Sequence, residues 1–599
     1  MTKQEAIILD DHGRSIEGRR IAKILDFFGV VWRLATTTEL LTLASADREI
    51  SPRWRLFCSS DACLQLIEGC ERDSCCLAFW EKQVHSAFVY PAGNPESLPK
   101  LIRQLSRDNG LVVRKIDRNT VDTMVSNQSD DFCGVMSGVR TTATGTDLDA
   151  DMVLNNSKEN TTSIISLDDG AVFLRIEYNR VPIFFLTSKE IVDIDSELTS
   201  QNFDIRHHFL SAVPVVLYIK WAFAETCWNA PKTNACLIID DPVLKSRHGF
   251  VNFKELLSLM KQHKFSTNIA FIPWNWRRSS PEVVRLFTEN PENYSISVHG
   301  SDHTRAEFGS SNQQRIYWKA QQALERMNAH QSMTGIRHDR VMVFPQGIFS
   351  EAAMSALKHT DLIAAVNNDV ISADLHRRAV SLAELWDIAI MGYGFPLFTR
   401  RYPWEGIENF AFDALLGKSA IIIIHHDYCS DRCLRLIQFI DRLNSLKCQP
   451  TWGSLGEVVR RSYRQRQLSS SQVEIEMYAA ELRLENYSGQ LRSFSIRRRE
   501  GEPSVIREIS DESGPLTWNF ANGYISFEVG LRPNQSKVVQ IKYHLLGREG
   551  RDGDDLPYRF RAMLRRYLCE IRDNYVTTAK LRVANRLGSR DQEFVVRTR

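Results

Sequence analysis

At 599 residues the chain exceeds what one hydrophobic core usually serves, and 43% hydrophobic with 25% charged residues is the make-up of a folded, multidomain protein. A formal net charge of +2 gives no polyanion-binding signature, so no nucleic-acid partner is expected. The N-terminus enters a strand pattern directly, without a secretory signal, the apolar run from Ser211 to Phe223 is too short to span a bilayer, and the twelve cysteines fit a reducing compartment; a cytoplasmic setting with no transmembrane segment is expected.

Residues 1–215 read as an α/β region of Rossmann-like or flavodoxin-like character with a β-rich return. Short apolar runs at Ala6–Leu9, Val30–Arg33, Arg55–Cys58, Cys76–Trp80 and Ala87–Tyr90 suggest strands, with helical patterns over Ser15–Phe28 and Pro95–Leu105. No glycine-rich phosphate loop accompanies them, so nucleotide binding has no handle here. The adjacent Asp10 and Asp11 at the first strand's end read best as a turn, and Cys58, Cys63, Cys70, Cys75 and Cys76 as ordinary thiols, since paired C-x-x-C spacing is missing. Thr141–Thr162 is rich in polar turn formers and reads as a long loop. The segments after it alternate like a meander, and His207–Trp228 is helical in period.

The region 216–466 alternates strands and helices, with strands expected at 235–239, 267–272, 295–298, 341–344, 362–366, 388–391 and 420–424. The apolar run Ala235–Ile239 ends in Asp240 and Asp241. Adjacent carboxylates repel unless a cation or a shared proton compensates, so the pair asks for a metal or an acid/base role, although an aspartate there can also cap a helix. A second strand runs into His299-Gly300-Ser301-Asp302-His303, whose histidines share a face if the chain turns helical, and a third into His425-His426-Asp427. In parallel α/β sheets and barrels the C-terminal strand edges converge, so these groups can meet.

In this order the residues resemble the polysaccharide deacetylases, the NodB-homology carbohydrate esterases of family 4, over about residues 233–465. The resemblance implies a distorted (β/α)7 barrel that removes acetyl groups from a carbohydrate. It implies Asp240 as catalytic base, Asp241, His299 and His303 as ligands of a divalent, zinc-like ion, and His426 or His425 as general acid, with His426 preferred because Asp427 follows it. The backbone N–H of Gln346 would face the oxyanion. Two departures stand out: Val343-Phe344-Pro345-Gln346-Gly347 lacks the arginine that in this family precedes the proline and orients the base, and Pro242 replaces a common glycine, biasing Asp241 toward an extended backbone. Trp274 and Trp276, and Tyr393, Phe395, Tyr402 and Trp404, stand after strands where aromatics stack on sugars or simply pack. An acetylated carbohydrate is therefore the expected substrate, with polysaccharide-assembly proteins as further partners. Glycoside hydrolysis, which would need Asp302 or Asp369 as a separated second acid, and a catalytically silent glycan-binding scaffold are the alternatives.

Beyond the serines at 469–471 the pattern becomes all-β, with about seven short strands over 472–546 that suggest a β-sandwich accessory domain. Residues 547–599 read as a charged linker and a terminal amphipathic helix and tail, Met563, Leu564, Tyr567, Leu568 and Ile571 supplying a packing face and Arg559, Arg561, Arg565 and Arg566 a solvated one.

Overall fold

The computed structural model describes residues 5–581 except 12–14, 46–52, 73, 93–95, 107–111, 116–120, 128–130, 145–151, 156–160, 168–169, 189, 202 and 548–555. The N-terminal sheet sets Val31–Ala35, Glu5–Leu9, Trp54–Ser59, Val84–Tyr90 and Val181–Leu186 side by side and parallel. From there it continues antiparallel through Gly170–Tyr178 and Thr161–Leu167 to Val121–Ser126 and Arg140–Thr144. This is the expected α/β half with its β-rich return, differing in two places. The apolar run around Trp80 is helical, within Ser74–Gln83, because a short apolar stretch reads alike as a strand or one buried helix face. Part of the supposed loop is strand: Arg140–Thr144 pairs with Val121–Ser126, and Met152–Asn155 with Val112–Lys115. Asp11 accepts hydrogen bonds from the backbone and hydroxyl of Thr37, which makes it a helix-end and turn residue.

The stretch Ile205–Thr226 is the one helix among the described residues long and apolar enough to cross a membrane, because helical turns flank Phe209–Phe223 on both sides. It is mostly buried in protein, and being apolar all round is what such a core position requires.

Seven strands form the central barrel, in the order Leu397–Thr399, Ala364–Asn367, His338–Val343, Tyr294–His299, Thr267–Phe271, Asn234–Asp240 and Ala420–Ile424, every neighbouring pair parallel. The ring is brought round by Arg401, just beyond the first of these, whose N–H donates to the Ile421 carbonyl and whose carbonyl accepts from Ile423. The sixth strand in sequence lies at 397–399 and not at 388–391; Ile390 makes only an antiparallel bridge to Leu397. Inside the ring, Cys236, Ile238, Val341, Val343, Ala364, Val366 and Ile421 share one apolar cluster with Leu455 and Val458 of the helix Leu455–Arg461. Outside it, Ala235, Leu237, Ile239, Ile422 and Ile424 join the cluster that reaches into the N-terminal sheet.

The C-terminal sandwich has one sheet built on Gln472–Glu476, Arg492–Arg499 and Tyr524–Leu531 and another on Glu481–Glu485, Ser536–Tyr543 and Ile506–Asp511. Alternate residues such as Ile475, Ile496, Phe527, Leu484 and Val539 meet between the two. The chain then returns to the barrel as the helix Leu556–Ile571, extended by a π-helical turn at Arg572–Thr577. Most of the expected linker lies outside the described residues.

Candidate metal and hydrolytic site

Strand parity decides which side chains reach the mouth of the barrel. Cys236 and Ile238 point inward, so Asp240, two residues on, emerges at the strand's C-terminal edge on the inner face. By the same count Ile421 sets His425 on the inner face, whereas Ile422 and Ile424 set His426 on the outer one.

Asp241 follows with φ of 79°, in place of the extended backbone favoured before proline. This left-handed turn swings its carboxylate toward the neighbouring strand end, where Oδ1 lies 3.5 Å from His299 Nε2 and 3.1 Å from His303 Nε2. The two histidines are not paired by a helix. Gly300 and His303 both adopt positive φ, and the half-buried Glu307 carboxylate gathers the backbone N–H groups of Ser301, Asp302 and His303 at 2.9–3.0 Å, folding the segment into a tight loop. A Cβ on Gly300 would stand 2.4 Å from Pro345 Cγ, so only glycine fits there.

Three observations bear on whether a cation fits. The donor atoms of Asp241, His299 and His303 all lie within 4.8 Å of one another. Two donors at ordinary zinc bond lengths and a tetrahedral angle are about 3.3 Å apart, between the two distances seen. Asp241 Oδ1 is buried without a hydrogen-bond partner, although the imidazoles are close. His299 donates from Nδ1 to the Val343 carbonyl at 2.9 Å, which frees Nε2 as a lone-pair donor. This donor set fits a divalent ion. Burial alone would push the Asp241 carboxyl up, but His303 and His299 hold it well below the usual carboxylate range.

Beside this triad Asp240 is clamped by Arg400, Nη1 to Oδ1 at 2.9 Å and Nη2 to Oδ2 at 3.0 Å, with both side chains almost wholly buried. Burial raises the Asp240 carboxyl, yet Arg400, His299 and His425 outweigh it and the net shift is downward. The arginine beside Asp240 comes from the residue after the strand Leu397–Thr399 and not from the segment before Pro345.

The remaining expected residues divide. His425 is half-buried, and its ring lies 6.4 Å from Tyr402, which stacks at 4.1 Å on the half-exposed Trp404. His426 is buried, its Nε2 3.6 Å from Asp573 of the C-terminal π-turn. Gln346 is exposed with φ of 59°, and its side chain accepts from the Ala306 N–H at 3.3 Å, tying two mouth loops together. Trp274 packs edge-on against Tyr567 of the terminal helix at 5.9 Å, and Trp276 lies under Arg277. Asp302 is buried against Lys319, Arg326 and Tyr558, which donate to it at 3.0, 2.6 and 2.9 Å, so it has no free oxygen to act as the separated acid of a glycosidase. Arg566, one of the residues expected on a solvated face, is instead buried with Nη2 3.4 Å from the His303 carbonyl.

Fold and side chains together define a parallel α/β barrel whose strand ends bring two imidazoles and one carboxylate together next to an arginine-clamped aspartate. No family model and no curated protein matches the sequence. Among solved structures the chain is similar to a family 4 carbohydrate esterase from Streptomyces lividans in complex with acetate, at 14% identity over 36% of this chain and 86% of that one, with a TM-score of 0.22. It is also similar to a CE4 esterase from Streptococcus mutans, at 13% over 38% and 87% with a TM-score of 0.24. A family 4 acetyl xylan esterase from Clostridium thermocellum with a cobalt ion stands at 12% over 38% and 90%, again with a TM-score of 0.24.

Proposed function

We propose that this chain is a metal-dependent hydrolase that removes acetyl groups from a carbohydrate. The observation that carries this reading is the juxtaposition of the buried Asp240–Arg400 pair with the converging donors of Asp241, His299 and His303. A divalent ion held by those three residues would supply a Lewis acid for the acetyl carbonyl and lower the pKa of a water.

The chain's own groups do the rest. Asp240, fixed in orientation by two parallel hydrogen bonds, takes the proton from the attacking water. The backbone N–H of Gln346, on a left-handed turn at the mouth, donates to the oxyanion as the carbonyl carbon becomes tetrahedral. His425 gives a proton to the leaving amine or hydroxyl. It is preferred over His426 because it shares the inner face with Asp240, while His426 is engaged by Asp573. Tyr402 and Trp404, stacked and part-exposed beside His425, offer a platform for a sugar ring.

The test is acetate release from N- and O-acetylated amino-sugar oligomers, with and without added divalent ion. The reading requires release that a chelator abolishes and the ion restores; reducing-end release without acetate would point instead to a glycosidase.

A further inference from the structure

The terminal helix Leu556–Ile571 lies across the barrel mouth with its amphipathicity turned inside out. Its inward stripe is polar. Tyr558 donates to Asp302, Arg566 reaches the His303 carbonyl, Glu570 pairs with Lys245 and Arg278, and in the following turn Asn574 accepts from the Gly249 N–H at 2.7 Å. Its outward stripe is apolar: Phe560, Leu564, Leu568, Ile571 and Tyr575, spaced four, four, three and four apart and therefore on one face, are 47–70% exposed. A contiguous apolar face of this kind marks a surface that something covers.

Charge says what. Along the helix and the turn after it, up to Lys580, the exposed ionic side chains among the described residues are Arg559, Arg561, Arg572 and Lys580, all cationic. The acids of the same stretch, Glu570 and Asp573, are turned inward against cations and His426. The sequence beyond, 582–599, adds five arginines against Asp591 and Glu593, while Asp552, Asp554 and Asp555 precede the helix. A second copy meeting this face through the same helix would set arginine against arginine. A bilayer with anionic headgroups would satisfy both features, taking the apolar stripe into the interface and the arginines into its negative surface. We infer that the outward face of the C-terminal helix docks on an anionic lipid membrane, holding the barrel mouth at the bilayer surface.

The experiment is flotation of the full chain with vesicles of phosphatidylcholine alone or mixed with phosphatidylglycerol. Binding is expected only to the mixed vesicles, and raising the salt should weaken it. Leu564→Asp with Leu568→Asp should lower binding about 100-fold. Arg559→Glu with Arg561→Glu should lower it at least about 25-fold, about fivefold for each cation lost. These side chains project into solvent, and thermal melting checks that each variant is folded. Failure of the folded wild-type chain to float with anionic vesicles overturns the inference, as does equal binding to neutral ones. So does a dimer in sedimentation that the leucine pair breaks while vesicles are ignored, which would make a second copy the occupant. Flotation reads nothing of hydrolysis, so a chain that floats yet releases no acetate leaves the docking standing and removes only the enzymatic reading.

Discussion

Replacing Arg400 with Gln tests the site through its most buried ion pair. In the wild type the Asp240 carboxylate is almost wholly enclosed and both oxygens accept from one guanidinium. Removing that partner leaves a buried charge uncompensated, which costs about 3–5 kcal/mol at neutral pH. For a domain of the barrel's size this is a melting shift on the order of 10 °C. The sign with pH follows from linkage. With Arg400 present the folded carboxyl lies below its usual value, so the pair contributes stability that is full above about pH 4 and fades as the pH falls further. In the variant only His299 and His425 still oppose burial, so the carboxyl loses its largest downward influence and the penalty grows as the pH rises from about 4 and shrinks below it. Melting curves at pH 7 and pH 4, followed by barrel tryptophan fluorescence, should therefore show a large gap at the first and a smaller one at the second. Adding Asp240→Asn should restore most of the lost stability at pH 7, because no buried charge is then left. A variant as stable as the wild type at pH 7, or a double variant as unstable as Arg400→Gln, would refute the reasoning.

Asp240→Asn should lower acetate release by about two to four orders of magnitude while elemental analysis still finds the divalent ion. His303→Ala should do the reverse in binding, losing the ion to dialysis because only two of the three donors remain. His425→Ala should cost the rate about 100-fold or more with the ion retained, and His426→Ala clearly less; the opposite ranking in steady-state kinetics would exchange the two roles. Asp573, raised by burial but brought down to about 2 by His426 and Arg572, stabilises the docked terminal turn above about pH 4 and loses that effect toward pH 2. Asp573→Asn should accordingly make the terminal helix more sensitive to limited proteolysis at pH 7, and a cleavage rate identical to wild type would argue against the contact.

What could be read in the sequence, and what could not, follows from the range of the interactions. Asp240, Asp241, His299 and His425 each end a locally apolar run, so both strand and charged terminus are visible within a few residues, and the barrel follows from their alternation with helices. Arg400 left no such trace: its strand is three residues long and its partner is 160 positions away. The loop holding His303 was equally hidden, since its organiser is Glu307, an acidic side chain turned back on three backbone N–H groups, which resembles any surface glutamate. The terminal helix misled in a different way. Period 3.6 correctly marks its two faces, but periodicity does not say which face is buried, and the ordinary assumption that the apolar one goes inward fails where Arg566 and Asp573 do so instead.

That the helix over the mouth follows all seven barrel strands in the chain has a consequence for biosynthesis. A ribosome delivers the seventh barrel strand well before Leu556, so for on the order of ten seconds the strand ends that carry Asp241, His299 and His303 exist without the helix that later lies over them. The contacts of Arg566 with His303 and of Asp573 with His426 can form only after that helix and its turn have been made, so the ring and its cover are separate events in time.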